Sequence, residues 1–339
     1  MKIKFEEKIE KLLTDESAKV LDEKYRKEQL HHFSAWADTP KQQQYLSNLF
    51  YTFQRHRNYK LSYIGESTKV NYTLKEMVNI SLDFAKSLHP EIYERAINIL
   101  NNKDTTLLLR EPTDNHNREE MFAGLNFDGK QTKAIISLKP QNSILGLTGV
   151  IHEVIGHGTS QKMQEKVNIK IDCLSEFEAQ FVELVALDWL LEKGYISSED
   201  YKIESVRKYV ETSFKVKFIQ EEVEICKRLK LPITKDNLTT TLDALKTEEN
   251  YKPIVRHLFN QVNGGHSSRF EYRYVFGLMI SSLLYEDFKK NPKETIEKYN
   301  NYMKKSSEYT KVDDALKDLI GEKYNQRIKG FVDSGIKTK

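Results

Sequence analysis

Cysteine is nearly missing from this 339-residue chain, which has only Cys173 and Cys226. Two thiols cannot build the disulfide framework of a small secreted domain, so a reducing compartment is expected. Proline (7) and glycine (14) are also scarce, which argues against an all-β protein and for long helices with short connections. No charge excess of one sign exists: 30% of residues are charged, yet the net charge is only +3, so no nucleic-acid footprint is implied. No run approaches the ~18 apolar residues of a membrane span, and Met1-Lys2-Ile3-Lys4-Phe5-Glu6-Glu7 lacks an apolar targeting region. The expectation is a soluble, cytoplasmic protein with no nucleic-acid or membrane partner, long enough to bury a large core.

Apolar residues recur at helical spacing over most of the chain. Phe5, Ile9, Leu12 and Leu13 form one such series, and Leu46, Leu49, Phe50 and Phe53 another. Met77, Ile80, Ser81, Phe84 and Leu88 make a third stripe, which the His89-Pro90 step ends. His31, His32, His56 and His89 read as surface or helix-end histidines, because none has a partner at useful spacing. Tyr51, Phe53, Tyr59, Tyr63 and Tyr72 read as core packing, with one wall of a cleft as the alternative. Helical periodicity breaks after about residue 101. Thr105 to Leu109 and Ala134 to Leu138 read as short strands, each closed by a Pro step, with Asp128-Gly129 as a turn. The fold class expected is mainly α, with a small β-hairpin or sheet just before a helix that resumes at about Ser143. An exposed strand edge there would suit an extended peptide, whereas a hairpin that merely covers the helix would be structural.

That helix carries His152-Glu153-Val154-Ile155-Gly156-His157 inside an apolar run. The H-E-x-x-H pattern sets two imidazoles one turn apart, with a glutamate beside a metal-bound water. Here the spacing is one residue longer. In a regular helix, five steps of about 100° leave the two rings roughly 140° apart, poor for chelation. A π-helical turn absorbs the extra residue and returns both to one face. Gly156 would tolerate the distortion. Two histidines satisfied inside a plain buried helix would leave Glu153 without a partner among apolar neighbours.

A third ligand is sought downstream. Leu174 to Leu187 reads as one largely buried helix in which Glu176, Gln180 and Glu183 share a face and Glu178 points elsewhere. Buried carboxylates need a cation or a hydrogen-bond partner. Glu176 is favoured as third ligand and Glu183 as support to a histidine ring N–H, with the reverse assignment left open. Zinc suits two imidazoles and a carboxylate better than iron or manganese does.

These stretches resemble the thimet oligopeptidase and oligoendopeptidase F family of zinc peptidases, with similarity to Taq-type carboxypeptidases. Thr132 to Leu138 is similar to the strand that leads into the family's histidine helix. Glu176 to Glu183 is similar to its ligand helix, where a zinc-binding glutamate is followed seven residues later by another. Phe270 to Leu278 looks like its aromatic Tyr-x-Tyr-x-x-Gly stretch. Departures are the extra residue before Gly156 and a shorter gap from His157 to Glu176, a gap that Glu183 would fit better. The inserted motif resembles that of dipeptidyl peptidase III instead, whose partner motif is echoed only poorly by Glu178 to Glu183.

The resemblance covers roughly residues 120 to 320 and implies a zinc metallopeptidase core at 101–330, continuous with an N-terminal helical region at 1–100. It also implies that tyrosines of the late stretch steady the tetrahedral intermediate, Tyr274 first and Tyr272 second; core packing is the alternative for either. Asn263-Gly264-Gly265-His266 is a loop where His266 could donate to a carbonyl or oxyanion, or be a plain turn residue. Residues 196 to 230 and 285 to 325 read as charged amphipathic helices. The expected reaction is hydrolysis of a peptide or protein substrate, with one Zn2+ on His152, His157 and Glu176 and Glu153 as general base. The alternatives are a zinc-binding structural or regulatory helical protein without catalysis, a di-iron bundle, which would need a second Glu-x-x-His helix, and a protein-modifying effector protease.

Overall fold

The computed structural model describes residues 67–114, 120–127, 132–167, 174–229 and 272–334. Helix α1 (Leu74–Leu88) starts at a capping box in which Thr73 and Glu76 satisfy each other's backbone N–H groups. It buries Leu74, Met77, Ile80 and Phe84 along one face. His89 ends α1 and also caps α2 (Pro90–Asn101), its Nδ1 accepting from the Glu91 N–H at 3.2 Å. Pro90 stands at the first helical position, where a missing N–H costs nothing.

Three strands follow: β1 (Thr106–Leu109), β2 (Glu120–Phe127) and β3 (Thr132–Lys139), in the order β1-β3-β2. β1 pairs with β3 in parallel, Thr106 opposite Ile135, while β2 and β3 run antiparallel, Ala123 opposite Ile136. The small sheet expected before the helix is present, with two corrections. β2 has no counterpart in the two-strand reading, because Ala123, Gly124 and Asn126 dilute its apolar signal. β3, the strand directly before the helix, is paired on both sides and offers no edge. The edge strand over the histidine helix is β2, whose Met121 side chain packs on Gly149, where an added Cβ would lie 2.2 Å from its terminal methyl.

Helix α3 (Ile144–Ile151) is capped by Ser143, whose Oγ accepts from the Gly146 N–H at 3.1 Å. It continues without a break into a π-helical turn, His152–His157. A short α4 (Gln161–Glu165) leads on to α5 (Phe177–Glu192). α5 is the axis of the fold: Phe177, Phe181, Val182, Val185 and Leu190 are buried, and so are Glu178, Gln180 and Glu183. A helix buried on every side belongs at a domain centre. Around it lie α6 (Ser198–Leu229), α7 (Tyr272–Lys290), α8 (Pro292–Lys305), α9 (Val312–Ile320) and α10 (Tyr324–Ser334).

Two glycines allow the close approaches. A Cβ on Gly156 would stand 2.4 Å from Ala179 Cα, and one on Gly277 would stand 2.5 Å from Gln180 Oε1. Side chains from α1, α2, the sheet and the later helices share one hydrophobic core. The chain is thus mainly helical with one small sheet. Among the described residues no helix is long and apolar enough to cross a membrane.

Candidate metal centre

The π-helical turn has a clear local cause. Continuing as an α-helix would put His152 and His157 on different faces; the wider turn sets their rings edge to face, with centroids 4.8 Å apart. The Gly158 N–H bonds to the Glu153 carbonyl at 2.9 Å, the five-residue closure that widens the turn. Gly156 lets the turn press against Ala179 of α5, and this contact brings the α5 carboxylates to the rings.

Glu176 stands at the N-cap of α5, one residue before its first turn. Its Oε2 lies 3.5 Å from His152 Nε2 and 3.7 Å from His157 Nε2. Donor atoms of His152, His157 and Glu176 all lie within 4.8 Å of one another, the one such trio of His, Cys, Asp or Glu side chains among the described residues. Glu153 Oε1 is 4.0 Å from His152 Nε2, on the same side. Behind the rings, His152 Nδ1 bonds to Glu183, whose other oxygen takes the ammonium of Lys208 from α6. His157 Nδ1 faces Glu178 Oε2 at 3.7 Å.

Charge and burial act strongly here. Burial alone would push the His152 imidazolium down, but Glu183, Glu176 and Glu153 outweigh it and hold it up at about 10. His157 is likewise raised, burial opposing and the Glu176 and Glu178 carboxylates prevailing. Glu176 goes the other way: burial would raise it, and the two imidazoles hold it well below the usual carboxylate range. Burial raises Glu153, against the pull of both imidazoles.

Donor chemistry decides whether these residues fit a metal. Two imidazole nitrogens and a carboxylate oxygen about 2.0–2.1 Å from one tetrahedral zinc would be about 3.4 Å apart. The separations of 3.5 and 3.7 Å match that spacing and are too long for good hydrogen bonds. Consistent with this, Glu176 Oε2 and Glu153 Oε2 are buried and have no hydrogen-bond partner. Buried carboxylate oxygens call for a cation. The trio fits a zinc ion.

Other residues singled out in the sequence fall differently. Glu183 touches the outer nitrogen of His152 and belongs to no such donor trio among the described residues. Tyr274 is half-buried in α7, with Lys215 Nζ 4.1 Å above its ring. It lies one turn before Gly277, where α7 meets the backbone of Glu176 and Phe177. Tyr272 opens α7, and His266 lies outside the described residues.

One expectation is corrected. Glu178, expected to point elsewhere, faces His157, because α5 is buried on every side and the histidine turn, pressed on Ala179, meets more than the face that Glu176 and Glu183 share. Lys208 was not singled out at all. It reaches Glu183 across the α5–α6 packing, which leaves no trace in local spacing.

No protein-family model matches the chain, and no curated protein sequence does. Solved structures do. PZ peptidase A, with an inhibitor, is similar over 88% of this chain and 57% of its own, at 10% identity and a TM-score of 0.57. A chain assigned as oligoendopeptidase F is similar over the same shares, at 11% identity and a TM-score of 0.56. One assigned as a peptidase, from Chlamydophila abortus, is 18% identical over 87% of this chain and 52% of its own, with a TM-score of 0.48. The chain therefore spans little more than half the length of the structures it matches. At these identities the likeness is one of architecture: the chain has the mainly helical fold of PZ peptidase A and of the chain assigned as oligoendopeptidase F.

Proposed function

We propose that the chain is a zinc-dependent peptidase that hydrolyses peptide bonds of peptides or of a protein substrate. The observation that carries the reading is the convergence of His152 Nε2 and His157 Nε2 on one unpartnered oxygen of Glu176, with Glu153 beside them. The fold shared with peptidase structures agrees with it.

His152, His157 and Glu176 would hold the ion, which when bound supplies a Lewis acid for the scissile carbonyl and for a water. Glu153 accepts the proton of the attacking water and passes it to the departing amine. Its unpartnered Oε2 and its raised proton affinity suit that exchange. Glu183 takes the Nδ1–H of His152, leaving Nε2 as the donor toward the ion. Tyr274, at the end of α7 that meets the start of α5, donates to the developing oxyanion, and His266 is the second candidate donor. An extended peptide alongside β2 would gain main-chain hydrogen bonds from the sheet edge nearest the histidine turn.

Elemental analysis with a mixed-peptide assay tests this. One zinc per chain is expected, and Glu153→Gln keeps the metal but lowers kcat by ~10²–10⁴-fold. Wild-type protein that binds zinc yet cleaves nothing, like the variant, would make this a zinc-binding helical protein without catalysis.

A further inference from the structure

Glu178 is the one carboxylate at the site that the proposed chemistry leaves unused. It is buried to 1% exposure in the first turn of α5. Its Oε1 has no hydrogen-bond partner, and neither has His157 Nδ1. The two groups face each other, Oε2 to Nδ1, at 3.7 Å, a few tenths of an ångström beyond a good hydrogen bond. Leaving a buried carboxylate and a buried ring nitrogen both unsatisfied is costly, and a small shift of either satisfies both.

The carboxylate is also held in place. Tyr299 donates its hydroxyl to the Glu178 main-chain carbonyl at 2.6 Å, so that phenol fixes the backbone and leaves the side chain free. The helix N-terminus favours a negative charge at this position. On α5 the five steps from Glu178 to Glu183 amount to about 140°, so the two carboxylates approach the histidine turn from different sides.

Resting on the zinc reading above, we propose that Glu178 is the positioning residue of His157, accepting its Nδ1–H and turning Nε2 toward the metal. The site then has two separate braces: Glu183 behind His152 and Glu178 behind His157. The extra residue of the π-helical turn gives a reason for the second. His157 leaves the helix on a wider turn, and its ring needs its own support.

Two measurements test this on the full chain. The first is zinc affinity by competition with a chelator. Glu178→Ala should weaken binding ~10–100-fold, and Glu178→Gln, whose amide oxygen still accepts a hydrogen bond, by clearly less. The second needs no metal: nitrogen-15 histidine spectra of the metal-free chain. Wild type should show a slowly exchanging, downfield Nδ1–H resonance for His157, assigned by its loss in His157→Ala. That resonance should move upfield in Glu178→Gln and vanish in Glu178→Ala, with far-UV circular dichroism unchanged. Wild-type zinc affinity in Glu178→Ala together with an unaltered resonance would overturn the proposal. Failure of wild type to bind zinc would sink the metal reading alone, because the metal-free resonance still decides whether Glu178 holds the ring. If Glu178→Ala does not fold, the isosteric Gln variant carries both readouts, and two unmoved signals in it overturn the proposal equally.

Discussion

His152 and His157 come from one turn of chain, yet the surroundings of their outer nitrogens differ. His152 is bonded to Glu183, and Glu183 to Lys208, at the border of a small open pocket lined also by Leu184, Leu187, Arg207 and Glu211. His157 faces a sealed carboxylate, Glu178, whose Oε1 has no hydrogen-bond partner. The first support is a chain of charges that ends on a neighbouring helix and can be altered from outside. The second is closed inside the core and depends on close packing. The two histidines of the proposed centre are thus held by unequal means, so deleting their supports should distinguish what deleting the histidines cannot.

The largest effect should be blind to the difference. His152→Ala and His157→Ala should each abolish stoichiometric zinc, a loss beyond the ~10–100-fold of an outer partner. Near-normal zinc in either variant, measured by elemental analysis, would break the symmetry of the two ligands. Next, Glu183→Ala should weaken zinc binding ~10–100-fold, and Lys208→Met, which leaves Glu183 in contact with His152, by less than ~10-fold. Chelator competition that ranks Lys208→Met above Glu183→Ala would mean the lysine, not the carboxylate, is the support.

On the packed side, Gly156→Ala drives a methyl into Ala179 and should cost ~1–3 kcal/mol in chemical denaturation. Ala179→Gly in the same chain should recover the part of that loss due to the two methyls; no recovery would place the clash at the Ala179 backbone.

The smallest effect is a pH dependence. The His152 proton affinity in the metal-free protein is raised to about 10, with Glu183 the leading raising cause. A raised folded-state value contributes stability that is fully present below the unfolded value of about 6.5 and fades as pH rises toward 10. Zinc binding displaces that proton, so zinc affinity rises with pH. The Tm difference between zinc-loaded and metal-free protein should therefore widen from pH 6.5 to 9, and a constant difference would contradict the charge network around His152.

Local pattern carried much of this in advance. The stripe of Met77, Ile80 and Phe84, the His89-Pro90 break and the Ser143 helix start are short-range features, and each stands where spacing and capping chemistry put it. The five-residue spacing of the two histidines implied a widened turn, because no regular helix serves both rings. Legibility failed where partners are distant in sequence or helical phase does not hold. β2 alternates too weakly to be seen alone and is defined by its pairing with β3. Glu178 does not share the face of Glu176 and Glu183, and its place beside His157 follows from how the histidine turn packs across α5, which local spacing does not record.

By itself, the sequence determined the residue types of the site and the widened turn that carries three of them, since backbone geometry and donor chemistry act over a few residues. Only the tertiary structure decided which carboxylate meets which nitrogen. Glu176, Glu178 and Glu183 reach the histidines through helix packing at Gly156, Lys208 reaches Glu183 from α6, and such packing depends on side-chain volumes from the whole core.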